Sequence, residues 1–173
     1  TVRDLNAPLL QPGLQLGRGV LTALNMGTGF THMEWYLTDK GEVVFGEIGC
    51  RPGGAHLVDQ MNFTSDIDLF REWARAVCYH DMHIKNPRLF NCAIVFKRAQ
   101  GQGKIRHIAG LQSYMQKFGR AVMVENLLKP GQHRRDWKQT LVSDGFLILR
   151  HPQWNIAKEL AQRAAVDIQI FAS

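Results

Sequence analysis

Two glutamates, Glu34 and Glu47, lie in neighbouring segments whose composition predicts short β-strands. The segments are residues 33–37 and 43–48, which are apolar or aromatic apart from the acids, and the turn signal Asp-Lys-Gly at residues 39–41 separates them. A carboxylate inside a strand must be solvated, paired or bound to a cation. The chemistry of this segment therefore depends on whether the two acids face each other.

The register of the predicted hairpin decides that question. With a loop of even length, such as residues 39–42, Glu34 faces Glu47. The same face then also carries His32, Tyr36 and Phe45, and Tyr36 lies opposite Phe45. With a loop of odd length, or with a β-bulge, the acids fall on opposite faces and one points to water. The two alternatives stay open on spacing alone.

Facing carboxylates favour a cation between them. Like charges directly across a sheet repel by about 0.2–1 kcal/mol, and Mg²⁺ prefers one or two carboxylates together with phosphate oxygens and water. The glycine-rich turn Arg51-Pro52-Gly53-Gly54 follows the second strand. A short helix predicted at residues 55–61 would present free amides beside it, which is a natural anion site. The alternative is that Gly53 and Gly54 only supply unusual backbone angles for a sharp turn.

Other reactive side chains have simpler explanations. His32 and His56 flank the acidic pair and could touch a substrate, although a structural role is the better interpretation for each histidine taken singly. Cys50 lies in the same loop, where a small buried thiol is a better interpretation than a catalytic one. The segment His-Asp-Met-His at residues 80–83 could bind a metal, but polar residues at the end of a helix are typical of a surface loop.

Composition sets broad limits on the class of protein. The chain has 173 residues, of which 45% are hydrophobic and 21% charged, as in a soluble globular protein. No apolar run approaches the roughly 20 residues of a membrane span, and no signal peptide opens the sequence. Three widely spaced cysteines predict reduced thiols in a cytoplasmic protein.

The formal charge of +6 leaves several partners open. The densest basic cluster, residues 129–138, surrounds a Pro-Gly turn and contains one tryptophan. It could contact nucleic acid, but a solvated turn between strands explains its polarity without a partner. An anionic small-molecule substrate explains the positive excess equally well.

The predicted elements indicate an α+β fold in two parts. An irregular lead-in at residues 1–13 precedes an amphipathic helix that ends at the glycines near residue 27, and a Thr-Ser-Asp N-cap at residues 64–66 starts a helix that ends near residue 79. An Asn-Pro boundary at residues 86 and 87 follows. Beyond it, helices are predicted at residues 110–118 and 154–165, and strands at residues 89–97, 105–108, 121–127, 140–150 and 166–171, with a turn at residues 99–104. The strand at residues 140–150 is expected to be broken at Asp144-Gly145. We expect domains at residues 1–85 and 86–173: an antiparallel sheet with packed helices, then a smaller α+β module.

The hairpin resembles the metal-binding end of the ATP-grasp superfamily. The order His-x-Glu on one strand, a short turn, and Phe-Gly-Glu-Ile-x-x-Arg-x-Gly-Gly on the next is similar to the family's Glu-Ile/Val-Asn-x-Arg-x-Gly-Gly. The likeness is greatest to carboxylate–amine ligases, particularly L-amino-acid ligase-like and biotin carboxylase-like members. It covers residues 14–79 well and the following module more loosely.

The resemblance implies a ligase that uses ATP and Mg²⁺, with Mn²⁺ as an alternative metal. Glu34 and Glu47 are then metal ligands, Arg51 contacts the transferred phosphoryl group or the acyl phosphate, and Gly53 and Gly54 belong to the nucleotide site. A carboxylate is activated as an acyl phosphate and attacked by an amine. His32 and His56 are candidates for contacts with these substrates.

The resemblance also implies what this chain lacks. The family's usual metal-binding asparagine is Gly49 here, which removes one side-chain oxygen. The glycine-rich loop and lysines on the adenine side belong to N-terminal lobes upstream of this segment, so we expect the isolated fragment to be inactive. A homodimer is compatible with the sequence. The alternatives are a catalytically silent ATP-grasp-like binding module, favoured by Gly49, and a basic nucleic-acid-binding domain, favoured only by charge.

Overall fold

The structure, a computed structural model, describes residues 1–84, 87–140 and 142–173. The chain divides into two compact units, Val2–Arg88 and Leu89–Ser173, the second joined by Thr1. The expected boundary at residues 85 and 86, and residue 141 of an expected strand, lie outside the described residues. Both units combine helices with sheets that are mainly antiparallel, which confirms the α+β expectation.

The first unit is a helix, a hairpin and two further helices. After a short 3₁₀ turn, α1 spans Gln11–Ala23, β1 His32–Leu37, β2 Val43–Gly49, α2 Leu57–Ser65 and α3 Leu69–Tyr79. The expected irregular lead-in is too long, because Pro12 lies in the first turn of α1, where a missing N–H costs nothing.

The start of α3 corrects another expectation. Residues 64 and 65 end α2 rather than capping the next helix, and the Thr64 hydroxyl donates to the Gln60 carbonyl at 2.8 Å. The N-cap of α3 is Asp68, whose carboxylate accepts the Arg71 amide at 3.1 Å.

The second unit contains two three-stranded sheets and two helices. Its elements are β3 Asn91–Lys97, β4 Gln100–Gly101, β5 Ile105–Ala109, α4 Leu111–Phe118, β6 Val122–Leu127, β7 Gly145–His151, α5 Trp154–Asp167 and β8 Gln169–Ala172. One sheet has the antiparallel order β3-β7-β6; in the other, β8 lies between parallel β4 and antiparallel β5. The core of this unit lies between the sheets and α5, with Leu147, Leu149 and Ile168 fully buried.

Three expected boundaries in this unit are wrong. The strand expected at residues 140–150 begins only at Gly145, because the buried Asp144 carboxylate accepts the amides of Ala99 at 2.8 Å and Arg135 at 2.6 Å. That carboxylate fixes a loop instead of a strand. The last helix continues to Asp167, so the closing strand starts three residues later than expected, and β4 lies within the expected turn at residues 99–104.

Candidate functional site

The two glutamates of the hairpin are direct partners, although the loop is not the one expected. Leu37 pairs with Val43, so the loop at residues 38–42 has an odd length. A β-bulge at Gly46 then inserts one extra residue into β2, and the register shift places Glu34 opposite Glu47. The odd loop alone, or the bulge alone, would prevent Glu34 from pairing with Glu47. The two together restore the pairing, because each shifts the register by one residue in the opposite sense.

Gly46 is required by this arrangement. A Cβ atom at this position would lie 2.9 Å from the Glu34 carbonyl oxygen and 3.0 Å from the Tyr36 ring. Phe45 pairs with Trp35 instead of Tyr36, so its expected place on the acidic face is wrong. The acidic face carries His32, Glu34, Tyr36 and Glu47 without it.

The opposite face of the hairpin packs on α1. The Trp35 ring lies against Gly13, and the Met33 methyl group lies 3.3 Å from the position of a Cβ on Gly17. These two glycines, one turn apart, let the helix backbone approach the strand closely. Because α1 covers the Met33 and Trp35 face, the acidic face points away from the helix.

Glu34 and Glu47 carry uncompensated charge. Both are exposed, and within residues 1–84, 87–140 and 142–173 neither carboxylate has a hydrogen-bond or ion-pair partner. Facing carboxylates without a cationic side chain between them are a suitable donor set for a hard divalent cation. Arg51 is exposed in the loop just beyond Glu47, where its Nη1 donates to the Pro52 carbonyl at 3.0 Å.

Gly49 lies at the position where the resemblance implies an asparagine. Its Cα is opposite His32, and a Cβ would lie 3.5 Å from the Arg51 side chain, which is ordinary van der Waals contact. The space that an asparagine side chain would occupy is therefore open, and the flexible side chain of Arg51 lies beside it.

The glycine turn is shaped differently from both expectations. Neither Gly53 nor Gly54 has a left-handed backbone, which overturns the proposal that they supply unusual angles. The left-handed residues are Ala55 and His56, with φ of 50° and 60°. These conformations cost roughly 1–3 kcal/mol each for a residue with a side chain. The helix expected to start at residue 55 begins at Leu57.

Gly53 is needed for space. A Cβ there would lie 2.8 Å from Leu57 Cδ1 and 3.3 Å from His32 Cδ2, whereas Gly54 has open space. His32, at one end of the acidic face, thus lies beside the turn. The structure brings His32 and Gly53 together.

His56 faces a neighbour that the sequence did not single out. Its Nδ1 lies 2.8 Å from Asp59 Oδ2, three residues along the chain. Both line a cavity of about 410 Å³ together with Arg51. Two aromatic residues of α3, Phe70 and Trp73, complete the wall. Their spacing of three is ordinary helix periodicity, so the sequence carries no distinct signal for the cavity.

Cys50 and residues 80–83 do not extend the site. Cys50 is exposed, so the expectation of a buried thiol is wrong, and its Sγ lies 4.0 Å from Met26 Sδ. Asp81 is bound by Arg75 at 3.1 Å and by His83 at 2.8 Å. No group of three or more metal-ligating side chains occurs in the described parts of the chain.

A buried acid organises that segment. Glu72, only 2% exposed, accepts the His83 amide at 2.6 Å and the Arg71 guanidinium at 3.1 Å. The pKa of Glu72 is lowered, mainly because its carboxylate accepts the His83 amide. Burial acts in the opposite direction, and the positive charges of Arg71 and Arg75 lower the pKa further. Glu72 is therefore a structural anchor for the loop after α3.

The basic cluster of the second unit is engaged with its own backbone. The guanidinium groups of Arg134 and Arg135 donate to the carbonyls of Gly101 and Ser143. Lys129 pairs with Glu125 at 2.9 Å. A polar cavity of about 280 Å³ lies beside this loop.

Across the described residues, no helix has the length and apolar character needed to cross a membrane. No protein-family model and no curated protein matches the sequence.

Solved structures do match the fold. An L-amino acid ligase from Bacillus licheniformis superimposes with a TM-score of 0.78 at 16% identity, over 98% of this chain and 44% of that one. N5-carboxyaminoimidazole ribonucleotide synthetase from Thermotoga maritima superimposes with a TM-score of 0.69 at 18% identity, over 97% of this chain and 44% of that one. Phosphoribosylglycinamide synthetase from Anaerococcus prevotii superimposes with a TM-score of 0.68 at 14% identity, over 98% of this chain and 44% of that one.

The chain therefore has the fold of a part of each of these three enzymes, which is the fold that the resemblance to the ATP-grasp superfamily implies. The fold implied by the hairpin motif is confirmed. The chain spans about 44% of the length of each of the three.

Proposed function

We propose that this chain is the metal- and phosphate-binding half of an ATP-grasp ligase. In the intact protein the γ-phosphoryl group of ATP passes to a substrate carboxylate, giving an acyl phosphate and ADP, and an amine then displaces phosphate. The observation that carries the proposal is the pairing of Glu34 with Glu47, uncompensated and exposed, on one face of a hairpin. The similarity of fold to ATP-grasp ligases supports it.

The two carboxylates have the chemistry that a nucleotide-bound metal requires. Mg²⁺, or Mn²⁺ in its place, neutralises the charge of the phosphate oxygens when bound at such a pair. Glu34 and Glu47 would hold it from neighbouring strands, and the bulge at Gly46 maintains their register. The repulsion between the unliganded acids favours cation entry.

Arg51 is placed to act on the transferred group. A guanidinium offers several donors in a fixed plane, which suits phosphoryl and carboxylate oxygens. Its position two residues after Gly49, with an exposed side chain, leaves it able to reach a ligand on the acidic face. Gly53 and Gly54 would let a phosphate approach the loop backbone, and His32 and His56 would contact the carboxylate or amine substrate.

The proposal predicts metal binding by this chain alone. Mn²⁺ titrations followed by electron paramagnetic resonance should show one saturable site that Mg²⁺ displaces. Glu34→Gln and Glu47→Gln should each weaken it by about tenfold or more, whereas Glu42→Gln, which removes an exposed acid from the same hairpin loop, should not. Equal binding by all four proteins would refute the site.

Turnover requires the upstream lobes, because an ATP-grasp site closes over the nucleotide from both sides. The intact protein should hydrolyse ATP with Mg²⁺, a carboxylate and an amine, and Glu47→Gln should abolish this without loss of folding. The isolated chain should show no turnover.

Gly49 favours a second candidate, a binding module without activity. An intact protein that binds Mg²⁺-ATP weakly or not at all would support it. Salt-sensitive binding of RNA or DNA by this chain would instead point to the basic loop at residues 129–138.

A further inference from the structure

Two aromatic side chains of α3 lie outside its buried face. Phe70 and Trp73, one turn apart, are 51% and 37% exposed, whereas Glu72 between them is 2% exposed. A surface helix normally buries its apolar side and exposes its acids. The buried face of α3 consists of Leu69, Glu72 and Ala76, so the rings of Phe70 and Trp73 are left partly exposed beside it.

Both rings lie at the cavity described above. Phe70 and Trp73 form part of its wall, and the other apolar lining comes from the glycine turn and α2: Pro52, Ala55 and Val58. Three charged or ionisable side chains lie at the same cavity: Arg51, His56 and Asp59. A volume of about 410 Å³ is within the range of small-molecule sites.

The loop that carries this wall is held in a costly conformation. Ala55 and His56 are consecutive left-handed residues, and neither is glycine. The strain is maintained by the Leu57 amide bonded to the Gly54 carbonyl at 2.9 Å, and by the His56 to Asp59 contact. Strained loops of this kind cluster at ligand sites, where the surroundings over-determine them.

We propose that the cavity binds the carboxylate substrate, and that this substrate carries an aromatic or bulky branched group. The inference rests on the proposed function, because Arg51 is shared between the phosphoryl site and the cavity. Arg51 pairs with the substrate carboxylate, and the apolar group lies against Phe70 and Trp73. Small acids such as acetate satisfy only the first contact.

Three probes separate the two contacts. Phenylacetate offers both a carboxylate and a ring, acetate only the carboxylate, and benzyl alcohol only the ring. The chain has four tryptophans, so the indole N–H signals are resolvable by ¹H–¹⁵N NMR, and Trp73→Phe assigns the reporter at the cavity.

Phenylacetate should shift the Trp73 signal saturably and bind at least about tenfold more tightly than acetate or benzyl alcohol. Phe70→Ala should weaken phenylacetate by about tenfold or more. Arg51→Gln should reduce phenylacetate to the affinity of benzyl alcohol. Val77→Ala, an exposed apolar residue of the same helix outside the cavity lining, should change nothing.

No saturable shift of the Trp73 signal, or equal binding of phenylacetate and acetate, would overturn the inference. Far-ultraviolet circular dichroism of each variant separates loss of binding from loss of folding. The Mn²⁺ titration keeps the two proposals apart: metal binding without phenylacetate binding overturns only this inference, and the reverse result overturns only the metal site.

Discussion

Replacing Glu47 with glutamine should raise the stability of the protein without metal and lower it with metal. Glu47 faces Glu34 across the hairpin, and both carboxylates are exposed. Two charges about 5 Å apart in water repel by roughly 0.8 kcal/mol, and measured like-charge pairs across strands cost about 0.2–1 kcal/mol. A central value of about 0.5 kcal/mol corresponds to a rise of about 2–4 °C in Tm for a unit of this size.

Bound metal should reverse the order of stability of the two proteins. At a free Mg²⁺ concentration ten times the dissociation constant, a single site stabilises the folded protein by about 1.4 kcal/mol. Glu47→Gln, whose site is weaker by about tenfold or more, gains at most about 0.4 kcal/mol, so the variant becomes the less stable protein by roughly 0.5–1 kcal/mol. High salt should shrink the gain seen without metal, because exposed charges are screened.

The assay is thermal unfolding followed by circular dichroism, with chelator, with Mg²⁺, and at two salt concentrations. Glu42→Gln is the matched control, since it removes the same charge from the loop between the strands. A Glu47→Gln protein that is less stable in chelator, or that gains as much from Mg²⁺ as the wild type, would refute the facing arrangement.

Three further predictions follow from close contacts and burial. Gly13→Ala should destabilise the protein by about 1–3 kcal/mol in urea unfolding, because a Cβ there collides with an indole ring packed on the helix. Gly19→Ala, on the same helix with open space, should stabilise it by about 0.5–1 kcal/mol, and a loss would contradict the packing. Gly53→Ala should weaken Mn²⁺ binding by displacing the turn, whereas Gly54→Ala should leave it unchanged; equal effects would argue against the turn geometry. Burial raises the pKa of the Cys92 thiol to about 11, so a thiol reagent at pH 8 should label two of the three cysteines rapidly and Cys92 only on unfolding.

The elements of the first unit were largely predictable from local patterns. Apolar spacing located α1, both strands of the hairpin and α3 to within a few residues. The errors lie at boundaries decided by single contacts, such as the cap of α3 by Asp68. In the second unit, Asp144 was interpreted as a break in a strand, but its burial and its two amide partners appear only in the folded chain.

The acidic pair shows most clearly which features could not be predicted from the sequence. Residue types, spacing and the family resemblance predicted that Glu34, Glu47, Arg51 and the glycine turn form one site, because facing carboxylates beside such a turn suit a metal and a phosphate. They could not determine that the acids face each other, since a loop of odd length predicts the opposite. The bulge at Gly46 decided it, through a register shift that depends on how the two strands pair.

The cavity was decided by tertiary structure alone. His56 and Asp59 are close in sequence, but Phe70 and Trp73 belong to a different helix, and the helical periodicity of α3 is the same whichever way it faces. Glu72 fixes that direction, because its buried carboxylate accepts the His83 amide. Phe70 and Trp73 then remain partly exposed. The sequence determined which reactive side chains the chain carries. Packing determined which of them lie close together, because that depends on strand register and on the direction in which each helix faces.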